Sequence, residues 1–131
     1  MHYFQKTHVV QAKEIDQYHH VNNVVYVQWI QDVADLHWQE LIVNIVDPKY
    51  VWFVVRHEID YKGQAKLGDS VTIKTWVGKT EGVTSIRHVE ISRGETVLVS
   101  SQTTYCFIDG TTQKPKRITN EIRNLLLPKQ S

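Results

Sequence analysis

Asp16-Gln17-Tyr18-His19-His20-Val21-Asn22-Asn23-Val24-Val25-Tyr26 runs into a further stretch, ending near Val43, that contains neither glycine nor proline. How this passage is read decides the fold. Asn22 and Asn23 are both good helix N-caps, so the backbone amides just after them are unpaired donors at the positive end of a helix dipole. A carboxylate, an imidazole and two amides ahead of such a helix start form a place where a developing oxyanion can be held.

From Val24 to Val43 the polar side chains Gln28, Gln31, Asp32, Asp35 and Gln39 recur at spacings of three and four, the signature of one helix. Most of the remainder is apolar, including Tyr26, Trp29, Ile30, Val33, Ala34, Leu36, Leu41 and Ile42. So narrow a polar stripe predicts a helix buried on most sides and wrapped by other elements. Asp47-Pro48 is the expected stop.

On either side of the helix the pattern has period two. Residues 3–11 read as a first strand, and strands are expected at 51–61, 70–77, 84–92 and 96–108, with turns at Gly63 to Asp69, Gly78 to Gly82 and Arg93-Gly94. In the second strand Phe53, Val55, His57, Ile59 and Tyr61 are expected on one face, with Arg56, Glu58 and Asp60 on the other. Thr119 caps a short C-terminal helix reaching Leu127. The order β-α-β-β-β-β plus that helix is an α+β fold with a mostly antiparallel sheet.

With 131 residues, 41% hydrophobic and 22% charged, the chain is sized for a single domain over 1–131 with one real core. A net charge of +1, from 15 basic and 14 acidic residues, argues against a nucleic-acid protein working through a broad basic surface. No apolar run approaches the roughly 18 residues of a membrane span, and the first residues lack the apolar core of a signal peptide, so a cytoplasmic protein with no membrane partner is expected. Cys106, the single cysteine, excludes an intrachain disulfide and a cysteine-based zinc site, and reads as a small buried hydrophobe. Seven histidines raise the question of a metal. His19 and His20 are adjacent, no pair has helical i, i+4 spacing and no ligand set is completed, so no metal is expected.

The run Asp16 to Tyr26 resembles the hot-dog-fold acyl-CoA thioesterases of the 4-hydroxybenzoyl-CoA thioesterase type, in particular their long-chain acyl-CoA branch. Ile59-Asp60-Tyr61 before Leu67-Gly68-Asp69, and Phe107-Ile108-Asp109 before Lys114-Pro115, extend the likeness over about residues 3 to 125. The resemblance implies a five-stranded antiparallel sheet wrapped around the long helix, pairing into a homodimer or homotetramer with active sites at the subunit interface. It implies hydrolysis of an acyl-CoA, with coenzyme A entering as part of the substrate and no separate cofactor. Asp16 matches the family's catalytic carboxylate, as general base on water or as nucleophile through a mixed anhydride. Asn23 matches the position whose backbone N–H polarises the thioester carbonyl, with His20 and Asn22 as orienting partners and Tyr26 as a packing residue.

Gln31-Asp32-Val33-Ala34 stands where that branch usually has Glu-Glu-Ala-Arg, which bears on acyl preference more than on activity. Trp29 and Trp38 are positioned to reshape an acyl tunnel. A phosphate-rich substrate calls for cations near the pocket mouth, and Lys62, Lys66 and Arg87 are the candidates. Two further readings stay open: a non-catalytic acyl-CoA or acyl-carrier binding module, and hydratase or dehydratase chemistry.

Overall fold

Alternating side chains along Phe4–Val9 and along the later strands are what a sheet needs when one face packs on a helix and the other meets water. In the computed structural model, which describes residues 2–43 and 50–127, β1 (Phe4–Val9) is followed by a 3-10 turn at Ala12–Glu14 and by α1 (Asn23–Leu41). Then come β2 (Tyr50–Tyr61), β3 (Ser70–Glu81), β4 (Thr84–Arg93), β5 (Thr96–Asp109), the short β6 (Lys114–Pro115) and α2 (Asn120–Leu126). Every pairing is antiparallel, in the order β1-β3-β4-β5-β2, with β6 added beside β5. The five expected strands are present, and Lys114-Pro115 adds a two-residue sixth pairing.

Two boundaries and the phase of one strand depart most from expectation. β3 continues to Glu81 because the turn is confined to Gly82 and Val83, Gly82 taking φ +61°. Gly78 therefore lies within the strand, where a Cβ would stand 2.6 Å from His88 Nε2, and a register shift follows between Val77 and Thr80. The last helical residue of α1 is Leu41, while the stop expected at Asp47-Pro48 lies outside the described residues. In β2 a bulge between Val54 and Arg56 changes the phase of the strand. Trp52 consequently faces inward before the bulge, and Ile59 faces inward after it, while Phe53 and Val55 are exposed.

The core has two parts strung along α1. Tyr26, Trp29, Ile30 and Val33 pack with Val71, Ile73, Val89, Ile91 and Val99 over the middle of the sheet. Val77, Phe107, Ile122 and Leu126 form the second part, with Trp38 and Trp52 against them. The helix is covered on one face rather than on most sides: Val24 is 73% and Leu36 44% exposed. A curved sheet reaches around only one side of a helix, and the described residues supply no second layer. Cys106 is buried in β5 as expected. No helix among the described residues is long and apolar enough to cross a membrane.

Candidate active site

The segment ahead of α1 doubles back on itself. Ile15 and Val21 form an isolated antiparallel bridge, Asn22 N–H donates to the Glu14 carbonyl at 3.0 Å, and the chain between them closes as a tight loop. Asp16 organises that loop: its N–H donates to the His20 carbonyl at 2.8 Å, and its Oδ1 accepts from Tyr18 N–H at 2.8 Å and His20 N–H at 3.2 Å. His19 adopts φ +68° at the turn. One carboxylate oxygen is thereby held by backbone, and Oδ2 has no protein partner among the described residues.

Asn22 is the N-cap, its side-chain oxygen accepting from Val24 N–H at 3.0 Å, and Asn23 is the first helical residue. Among the described residues nothing accepts from Asn23 N–H, and the residue is exposed. Of the four residues expected at the site, Asp16, His20, Asn22 and Asn23 all lie in this one folded-back segment. His20 contributes its backbone to Asp16, while its half-buried ring has no hydrogen-bond partner among the described residues.

What fixes the loop against the sheet comes from farther along the chain. Val21 N–H donates to the Ala65 carbonyl at 3.0 Å, and Ala65 N–H donates in turn to the Tyr26 hydroxyl at 2.9 Å. Tyr26 is thus more than packing: its buried ring fills the core while its hydroxyl ties the β2–β3 connection to the helix. Burial pushes its phenol above the ordinary range, so it stays neutral.

Glu14 was not singled out in the sequence. It is buried and accepts from His8 Nε2 at 2.8 Å, Gln11 N–H at 2.8 Å and Trp29 Nε1 at 3.1 Å. Burial alone would raise its carboxyl, but these hydrogen bonds outweigh that and hold it below the ordinary value. Gln11 three residues before Glu14 is a capping-box spacing, the one local signal that could have found it.

The three candidate cations separate. Lys62 and Lys66 are exposed in the β2–β3 connection that also carries Ala65, hence on the side of the Asp16 loop. Arg87 is elsewhere: 6% exposed, with Nη1 donating to His37 Nδ1 at 2.8 Å and to Thr75 Oγ1 at 3.1 Å. It lines a cavity of about 1000 Å³ beside the C-terminal half of α1, together with Trp38, Trp52, Val77, Tyr105 and Ile122. Strand parity could have predicted this, since Arg87 is in phase with the buried Val89 and Ile91. Among the described residues no group of three or more His, Cys, Asp or Glu could hold a metal ion.

Sheet order and a long helix on one face define the hot-dog fold. The profile of the acyl-ACP thioesterase N-terminal domain matches residues 1–126, and the chain therefore belongs to that family; it is a thioesterase. A predicted thioesterase from Bacillus stearothermophilus superposes with a TM-score of 0.86 at 21% identity, over 95% of this chain and 94% of that one. The probable thioesterase YbaW from Escherichia coli gives 0.79 at 26% identity, covering 93% and 95%. A 1,4-dihydroxy-2-naphthoyl-CoA thioesterase from Synechocystis gives 0.81 at 16% identity, covering 97% of each chain. No curated protein sequence matches the chain.

Proposed function

We propose that this thioesterase hydrolyses acyl-CoA thioesters, with Asp16 as general base or nucleophile and the Asn23 N–H as donor to the thioester oxygen. The observation that carries the reading is the pairing of a carboxylate held through one oxygen only with an unclaimed amide at the head of a 19-residue helix. In the base route Asp16 takes a proton from water as the water oxygen bonds to the acyl carbon. The carbonyl oxygen gains charge against Asn23 N–H, the C–S bond breaks, and the proton passes to the departing thiolate. Asn22 keeps the helix start in register, and the His20 backbone keeps the Asp16 carboxylate aimed.

Lys62 and Lys66, which make no ion pair among the described residues, supply positive charge for the phosphates of coenzyme A. The functional unit is a homodimer, on which a tetramer can be built. β2 is an edge strand with Phe53, Val54 and Val55 exposed, and the uncovered side of α1 carries Val24 and Leu36. Pairing β2 with its symmetry mate would cover that edge.

Release of free thiol from acyl-CoAs and from acyl-carrier-protein thioesters, graded by chain length, tests the substrate class. Loss of turnover in Asp16→Asn with retained melting temperature is the expected result, and full activity in that variant would refute the assignment. Tight acyl-CoA binding with no turnover across the panel would instead identify a binding module.

A further inference from the structure

We propose that the cavity beside the C-terminal half of α1 is a binding site for an organic acid with an apolar body, whose carboxylate is received by Arg87. Arg87 projects from a core position of β4, and none of the ion pairs among the described residues includes it. Nη1 is engaged by His37 and Thr75, but Nε and Nη2 have no protein partner among the described residues. No buried side-chain nitrogen there lacks a partner, so these two atoms reach open space, and the space that Arg87 lines is the cavity.

No ion pair among the described residues neutralises the guanidinium. Arg87 can only donate, so His37 Nδ1 is an acceptor and its proton sits on Nε2, shared with His2 Nε2 at 3.1 Å. Burial, then Arg87 and His2, bring the His37 pKa down to about 4, so the ring is uncharged at neutral pH. Burial brings Arg87 itself down only to about 10, which leaves it protonated. Tyr105 also lines the cavity and is kept neutral by burial. Asp35 and Glu121 line it too, both exposed; neither comes within ion-pair distance of Arg87, and Asp35 acts on the guanidinium only at longer range, favouring its charged form. A buried cation left without an anion is a costly arrangement, and a planar carboxylate fits the free edge of a guanidinium.

The remaining walls specify the rest of the ligand. Trp38, Trp52, Val77 and Ile122 are apolar or aromatic beside the polar Gln39, Ser85 and Thr119, and the volume of about 1000 Å³ admits a long or bicyclic body. One buried cation in a cavity that also carries the carboxylates of Asp35 and Glu121 suits a single negative charge and disfavours a polyphosphate. The acid can come from two sources: the free product of hydrolysis, or a second carboxylate at the far end of the acyl group.

Trp38 and Trp52 line the cavity and report binding by fluorescence. Wild-type protein is titrated with dodecanoate and dodecan-1-ol, and with 2-naphthoate and 2-naphthol. Each acid should bind at least ten-fold more tightly than its alcohol, Arg87→Met should erase that preference, and Arg87→Lys should restore part of it. Equal binding of acid and alcohol, or an undiminished preference in Arg87→Met, would overturn the site. Should Arg87→Met fail to fold, the wild-type contrast and the Arg87→Lys titration still decide.

Kinetics then separate the sources, and only this arm rests on the proposed hydrolysis. A KM at least ten-fold lower for ω-carboxydodecanoyl-CoA than for dodecanoyl-CoA, lost in Arg87→Lys, identifies the distal carboxylate. Equal KM values with inhibition by free dodecanoate identify the product. Neither effect in an active enzyme would overturn the site, whereas an inactive enzyme that still prefers acids would refute only the hydrolysis.

Discussion

The two ends of α1 are built on opposite plans. At its N-terminus the parts are backbone: amides of Tyr18 and His20 hold Asp16, and the Asn23 amide faces outward from the helix start. Core packing around Tyr26 and Trp29 leaves this end dense and well tied. At the C-terminal half the parts are side chains from distant strands, and they line a cavity whose buried cation has no ion-pair partner among the described residues. A backbone-built site needs consecutive residues and a rigid anchor, whereas a side-chain-built site needs only strand parity and register. One helix can therefore present reaction chemistry at one end and ligand selection at the other.

Four measurements would break or sharpen this contrast. The largest effect is expected from Asp16→Asn, which should lower kcat for thiol release by about 10²–10⁴-fold while acid binding at Arg87 stays unchanged. Parallel loss of both would show that the ends are not independent.

Acid should act on the other end first. His37 has a folded pKa of about 4, below its ordinary 6.5, because the uncharged ring is favoured in the fold. Its contribution is complete above pH 6.5 and is lost as pH falls toward 4, roughly 3 kcal/mol in full. Glu14, depressed in its turn, adds a further loss only below its ordinary value of 4.5. Melting temperature should therefore fall between pH 6.5 and 4.5, and His37→Asn should flatten that slope; a slope unchanged by the substitution would contradict the assignment.

Tyr26→Phe removes the hydroxyl that receives Ala65 N–H and leaves a buried amide unpaired, which should cost about 1–3 kcal/mol in urea unfolding. Activity should fall with it while the acid preference persists, because the anchor serves the Asp16 end. Asn22→Ala is the mildest change, removing a cap worth about 1 kcal/mol. Its signature should be a drop in kcat larger than the drop in melting temperature, since the cap also sets the Asn23 amide.

Much of this was legible in the linear chain. Period-two runs located β1 to β5, the Asn22 cap located the start of α1, and one continuous motif brought Asp16, His20, Asn22 and Asn23 together. The phase change in β2 was not legible, because a bulge between Val54 and Arg56 is set by pairing with β5 rather than by local preference. Nor was the one-sided cover of α1, since an apolar composition does not say whether the missing layer comes from the same chain. Glu14 was passed over because its partners His8 and Trp29 converge only after folding.

The sequence by itself determined the elements, their order and the makeup of the loop ahead of α1, because short-range periodicity, capping and turn chemistry act within a few residues. Only the tertiary structure decided that Arg87 leaves the company of Lys62 and Lys66 and faces His37, Thr75 and a cavity. Strand register brings in Thr75 from 12 residues away and the packing of α1 on the sheet brings in His37 from 50 residues away, and the electrostatic character of a charge follows from what surrounds it in space.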